Sequence, residues 1–217
     1  MPACTCWRIC SGLRPRAAGA LGFQEGVNGY SGTTDAYINR WAATTNYGNA
    51  TTFSVRYNDE HAGLVRFDLA ALAPGSTVTA ATLELYVVSS GNSNHLQVDA
   101  YQLLHAWGES SVTWNTPWSS PGANAVGADR AATPAASALV TPNDVGRWIT
   151  LDLRALVQGW VNAPGTNHGV LLRATAAIPN GGIVTYSFAA SEYSETARRP
   201  MRGSRRSPSG GRSGCSR

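Results

Sequence analysis

Lysine is missing altogether from this 217-residue sequence, and cysteine is missing from everything between Cys10 and Cys215. The first absence makes every basic side chain an arginine. The second excludes a disulfide framework or a cysteine-based zinc site from the body of the chain. Cys4, Cys6 and Cys10 stand close together, but no histidine or cysteine lies at a spacing that would complete a metal set. No apolar run reaches the roughly 18 residues of a membrane-spanning helix. The first twenty residues also lack the apolar stretch of roughly 7–15 residues that marks a signal peptide.

Charge is scarce and unevenly spread. Between Leu21 and Ala197 lie seven arginines and all thirteen acidic residues, which leaves that interior at −6. The other ten arginines sit at the two ends and bring the whole chain to +4. A basic balance ordinarily points to nucleic acid. Here the excess belongs to the ends, so the folded body is not expected to bind it.

Signatures of catalysis are absent as well. The four histidines, His61, His95, His105 and His168, form no HExxH motif, and there is no GxSxG, P-loop or dinucleotide-binding GxGxxG. Asp68, Glu84 and Asp152 stand at regular positions of strand-like runs, where pairing with arginine or capping of turns is expected. The reading is of a non-catalytic protein.

What the sequence has in quantity is glycine, proline, threonine, valine and aromatic residues, in short alternating runs broken by turn residues. Thr34–Asn39, Thr51–Tyr57, His61–Leu69, Thr79–Ser89, His95–Leu104, Arg147–Leu153, Val170–Ala174 and Ile183–Ala189 read as strands. In Thr79–Ser89, Leu83, Leu85 and Val87 should face inward, with Thr82, Glu84 and Tyr86 opposite. Leu153, Leu156, Val157, Trp160 and Val161 recur at helical spacing, so one short helix is expected, ended by Pro164 and Gly165. The Ala/Gly/Pro-rich stretch 116–144 should be an extended loop with a short strand or two. About eight or nine short strands predict an all-β antiparallel sandwich, jelly-roll-like, with one short helix. Residues 1–20 and the Arg/Ser/Gly-rich residues 200–217 are expected to be disordered tails flanking a β-sandwich module at 21–199.

Seven segments in order carry a family resemblance: Phe23–Ile38, Asn46–Gly48, Leu64–Leu72, Gly75–Val87, Trp107–Pro117, Leu151–Ala174 and Ser187–Pro200. Together they resemble the DNRLRE-domain family of bacterial secreted proteins, modules of the alginate-binding type. The resemblance implies a β-sandwich module of an extracellular multidomain protein, acting as a monomer on polysaccharide, an acidic one included. A structural or adhesive spacer without a sugar site is the alternative. In the family pattern Arg-Pro leads into an alternating closing strand. Here Arg199-Pro200 is followed by Met-Arg-Gly-Ser-Arg-Arg, so a strand is expected to be missing and stability reduced.

Sugar recognition needs an aromatic face for the C–H side of a pyranose and planar polar groups at its rim. A uronate would add arginine, whose fork matches a carboxylate. Trp160 and Trp148 fall on or beside apolar stripes and are expected in the core. Trp107 and Trp114, in the motif WGESSVTW, read as a structural corner, and Trp7 lies in the tail. Trp41 and Tyr47 stand in a polar loop, Trp118 between Pro117 and Ser119, and Arg56 and Tyr57 at a strand end. These five are the candidate ligand-binding residues. A structural Ca²⁺ is compatible with Asp35, Asp59, Glu60 and Asp129 as oxygen ligands. No spacing selects among them, and no metal residue is assigned.

Overall fold

Alternating side chains give the strands, and pairing among them fixes what lies inside. The computed structural model describes residues 20–58, 60–174, 178 and 181–193, with 6–11 and 20 described by their backbone alone. The described strands are β1 (Cys6–Ser11), β2 (Ala20–Gln24), β3 (Thr33–Asn39), β4 (Thr52–Arg56), β5 (His61–Phe67) and β6 (Val78–Ser90). They continue with β7 (Leu96–Gln102), β8 (Ala136–Val140), β9 (Trp148–Asp152), β10 (Val170–Arg173) and β11 (Thr185–Ala189). All paired strands run antiparallel, in the order β2-β1-β6-β11-β4-β5-β10-β7-β8, with β3 beside β5 and β9 beside β6. Strands β8 and β9 approach one another, so the sheet nearly closes. The fold is all-β, as the alternation predicts.

Strand β6 joins the two halves of the sheet. Its first part pairs with β1 and β9, and its last residues pair with β11. Leu83, Leu85 and Val87 face inward and are fully buried. They meet Phe53, Val55, Val65, Tyr186 and Phe188 in the main core. Helix α1 (Arg154–Asn162) closes one end of that core with Val157, Trp160 and Val161, as its spacing predicts.

Two differences from the expected pattern matter. Cys6–Ser11 was expected to be disordered, yet its backbone forms β1, in register with both β2 and β6. A β ladder is a main-chain interaction, and composition is a poor guide to whether an edge will accept one. Residues 200–217, including the segment after Arg199-Pro200, lie outside the described residues.

The second difference is a second core outside the sheet. Ala36, Ile38, Ala62, Leu64 and Leu171 point away from the main core and are buried by segment 103–123. Trp107, Trp114 and Trp118 from that segment cover them. Each of two indoles has a fixed partner: Trp107 Nε1 donates to the His168 carbonyl (2.9 Å) and Trp118 Nε1 to the Thr113 carbonyl (3.0 Å). Asp129 holds the segment's return. Its fully buried carboxylate accepts the backbone N–H groups of Ser119 (2.7 Å), Ser120 (3.0 Å) and Ala125 (3.1 Å). Burial pushes its pKa up, but the three N–H donors outweigh that and leave it below the usual carboxylate range.

Removing that carboxylate would orphan three backbone donors in a partly buried turn. Asp129→Ala should lower unfolding stability by at least about 2 kcal/mol. Urea denaturation measures this, and a loss under about 0.5 kcal/mol would show that the segment holds itself without Asp129.

Candidate functional site

Strand β3 ends at Asn39, whose side chain accepts the Trp41 backbone N–H at 2.8 Å and starts the 3₁₀ turn Arg40–Ala42. The Arg40 N–H is bound by the Glu60 carbonyl at 2.8 Å, which ties the turn to the β4–β5 connection. So held, Trp41 projects outward and is 60% exposed, more than any other large hydrophobic residue described. The Arg56 guanidinium sits 4.7 Å from the centre of its ring, and His61 meets it edge-on at 5.2 Å. Behind them Tyr37 stacks on Tyr47 at 4.2 Å and leans on His61 at 5.8 Å. The interplanar angles, 23°, 46° and 72°, make a stepped cluster of rings with one exposed tryptophan at its tip.

The electrostatics keep this cluster close to neutral. Arg56 forms an ion pair with Glu60 and also donates to Thr185 Oγ1 at 3.0 Å. Desolvation lowers the His61 pKa, and the neighbouring arginine lowers it further against the opposing pull of Glu60. Both His61 ring nitrogens are shut from solvent with no hydrogen-bond partner among the described residues. A neutral imidazole therefore serves here as a flat wall. An exposed indole edged by planar polar groups is the arrangement that packs against a sugar ring.

Of the five residues nominated from sequence, three meet here: Trp41, Tyr47 and Arg56. Tyr57 does not. It packs against the main core and lines a small cavity with His95 and Leu96, because it continues the inward alternation of Phe53 and Val55. Trp118 does not either. At 7% exposure it is interior, its indole spent on the Thr113 carbonyl. Its polar sequence neighbours gave no sign that its face covers β3 and β5. Trp148, expected in the core, is 39% exposed and meets Tyr86 edge-on at 5.4 Å. Trp107, Trp114 and Trp160 are interior as expected. Tyr37 escaped the sequence reading, and His61 entered it only as a histidine without a catalytic motif. Their only signal was position within alternating runs, and the pairing that joins them is 24 residues apart.

Next to the cluster, β3 carries a buried carboxylate. Asp35 is 1% exposed and accepts the Ser191 backbone N–H at 2.8 Å, while its own N–H goes to Glu109 Oε1 at 2.8 Å. Desolvation, then the nearby Glu192 and Glu109 charges, raise its pKa to about 7 against the lowering effect of Ser191. Glu109 is raised for the same first reason. Asn46 donates to the carbonyls of Glu109 and Val112, both at 2.7 Å. Gly48 lies so close that a Cβ there would stand 2.1 Å from the Glu109 carbonyl oxygen. That contact is why the turn carrying Tyr47 ends in glycine.

Asp35, Glu60 and Asp129, considered above for Ca²⁺, are each engaged with protein donors. Asp59 lies outside the described residues. Among the described residues no group of three His, Cys, Asp or Glu side chains is placed to hold a metal ion. No described helix is long and apolar enough to cross a membrane.

The fold and this surface define an all-β module with an exposed aromatic tip. The family comparison agrees: the model of carbohydrate-binding module family 96 matches residues 28–200. The chain belongs to that family. A search of curated proteins finds no match.

The raised Asp35 pKa carries a sign. Folded Asp35 keeps its proton up to about pH 7, whereas an unfolded aspartate loses it near its ordinary value of 3.8. Its contribution is therefore fully present below about pH 4 and is lost as pH rises toward 7. Asp35→Asn, which stays neutral, should remove this slope. The stability gap between wild type and variant should shift by up to about 4 kcal/mol between pH 4 and pH 8. Thermal melts of the pair across pH measure it, and parallel profiles would refute the burial argument.

Proposed function

We propose that this chain is a non-catalytic carbohydrate-binding module that anchors a secreted or cell-surface protein to polysaccharide, acting as a monomeric unit of a larger polypeptide. The observation that carries the reading is Trp41, 60% exposed beneath Arg56 and beside His61 in a chain of a carbohydrate-binding family. One sugar residue would lie with its C–H face on the indole. Its hydroxyls would reach Glu60 and the Asn46–Gly48 turn at the rim. Acidic polysaccharides are included among the proposed ligands, because the arginine fork over the indole, Arg56, has the planar geometry that matches a uronate carboxylate.

Such open surfaces bind weakly, on the order of micromolar to millimolar. Trp41→Ala should weaken binding about tenfold, near 1.4 kcal/mol. Trp148→Ala, on a different surface, should leave it unchanged. Affinity electrophoresis in gels containing alginate, pectate or a neutral glucan measures both. A well-folded wild-type protein retarded by no polysaccharide would favour the spacer alternative. New reducing ends or unsaturated products would show catalysis instead.

A further inference from the structure

One residue, Glu109, joins the buried carboxyl of β3 to the turn that carries Tyr47. Its side chain accepts the Asp35 N–H at 2.8 Å, and its backbone carbonyl accepts a hydrogen bond from Asn46 Nδ2 at 2.7 Å. Asn46 accepts the Gly48 N–H on its Oδ1 at 3.2 Å, so the turn is wrapped around the side chain that docks it. Gly48 leaves no slack, because its approach to the Glu109 carbonyl would not admit a methyl group. Tyr47, between Asn46 and Gly48, stacks on Tyr37, which stands two residues from Asp35 on β3. Movement of Glu109 away from β3 therefore takes the turn with it and separates the two rings behind Trp41.

Acidic groups meet at this seam from three directions. Asp35 comes from β3 and Glu109 from the covering segment, while Glu192 follows Ser191, whose N–H Asp35 accepts at 2.8 Å. The Glu192 and Glu109 charges both act on Asp35. Glu25, from the turn after β2, acts on Glu109 and accepts the Thr33 N–H at 3.1 Å, two residues from Asp35. Arg66 of β5 opposes them: it favours the Glu109 charge and donates to Thr34 Oγ1 at 3.2 Å. A neutral Asp35 carboxyl lets Glu109 and Glu192 stay near it. An ionised one adds a negative charge inside a buried seam, where like charges repel more strongly than in water. Lifting Glu109 off β3 relieves that repulsion by admitting solvent.

We infer that Asp35 and Glu109 form an acid-closed latch, in which ionisation of Asp35 releases the Tyr47 turn and weakens the Trp41 face for its ligand. The effect on binding rests on the carbohydrate-binding reading above, whereas the latch itself does not. Both are positioning residues, acting on a ligand only through Tyr47 and its turn. Buried Asp35 titrates at about 7, and a solvated aspartate near 3.8. Closure is therefore strongest below about pH 4 and is lost as pH rises toward 7, above which little further loss follows.

Two measurements on the full chain, each at pH 5 and pH 8, test this. Amide hydrogen exchange followed by NMR reads the latch without ligand, and affinity electrophoresis in alginate gels reads its effect on binding. After correction for intrinsic exchange, protection of the residue-35 and Gly48 N–H groups should fall about tenfold at pH 8. Affinity for alginate should fall by about the same factor. Asp35→Asn should keep both properties equal at the two pH values, and Glu109→Gln, which removes a like charge, should shrink the difference. Trp41→Ala should lower affinity at both and leave protection unmoved. Melting temperatures at both pH values confirm that each variant is folded. A pH difference in protection that persists in Asp35→Asn would overturn the latch, as would equal protection at pH 5 and pH 8 in the wild type. Protection that falls while alginate binding holds steady would overturn the coupling to the Trp41 face. Protection that falls in a protein retarded by alginate at neither pH would uphold the latch and count against the carbohydrate-binding reading alone.

Discussion

Seven consecutive pairs between β3 and β5, from Thr33 opposite Phe67 to Asn39 opposite His61, set which residues of the two strands face the main core and which face the outer one. That register brings Tyr37 within reach of His61 and places Thr34 beside Arg66. A slip of one residue would turn Asp35 outward and Ala36 and Ile38 inward, reversing a face that is buried on both sides. The register is therefore enforced by packing. Val65 and Phe67 are committed to the main core, and Ala62 and Leu64 to the outer one.

Burial of both faces has a cost and a use. It removes an ordinary solvent face from the middle of the sheet and spends three tryptophans on covering it. The covering segment in turn supplies Glu109, whose carboxylate binds the Asp35 N–H and whose backbone receives Asn46. The turn that carries Tyr47 is thus docked against a segment more than 60 residues away in sequence. Recognition groups presented by loops gain precision when loops are pinned in this way.

Charge placement follows the same division. Counter-charge at Glu60 makes Arg56 an aromatic neighbour more than a hook, while Arg66 donates to Thr34 and acts on the Glu109 carboxylate from farther off. Asp35, kept protonated toward neutral pH, and His61, kept neutral, let the β3–β5 pair be packed with little buried charge.

Alternation and turn residues determined the strand runs β3 to β7 and β9 to β11, the helix at Arg154–Asn162 and the all-β class, because a period of two or 3.6 is a local property of the chain. They also pointed to Trp41, whose loop of Arg, Thr and Asn residues does match an exposed position. Local pattern failed where a neighbour from far along the chain decides. Trp118 is covered, Tyr57 turned inward, Trp148 left in solvent and Cys6–Ser11 recruited as a strand by elements distant in sequence. Only the tertiary structure could pair Arg56 with Glu60 and bury Asp35, since ion pairs and desolvation depend on distance in space and not on order along the chain.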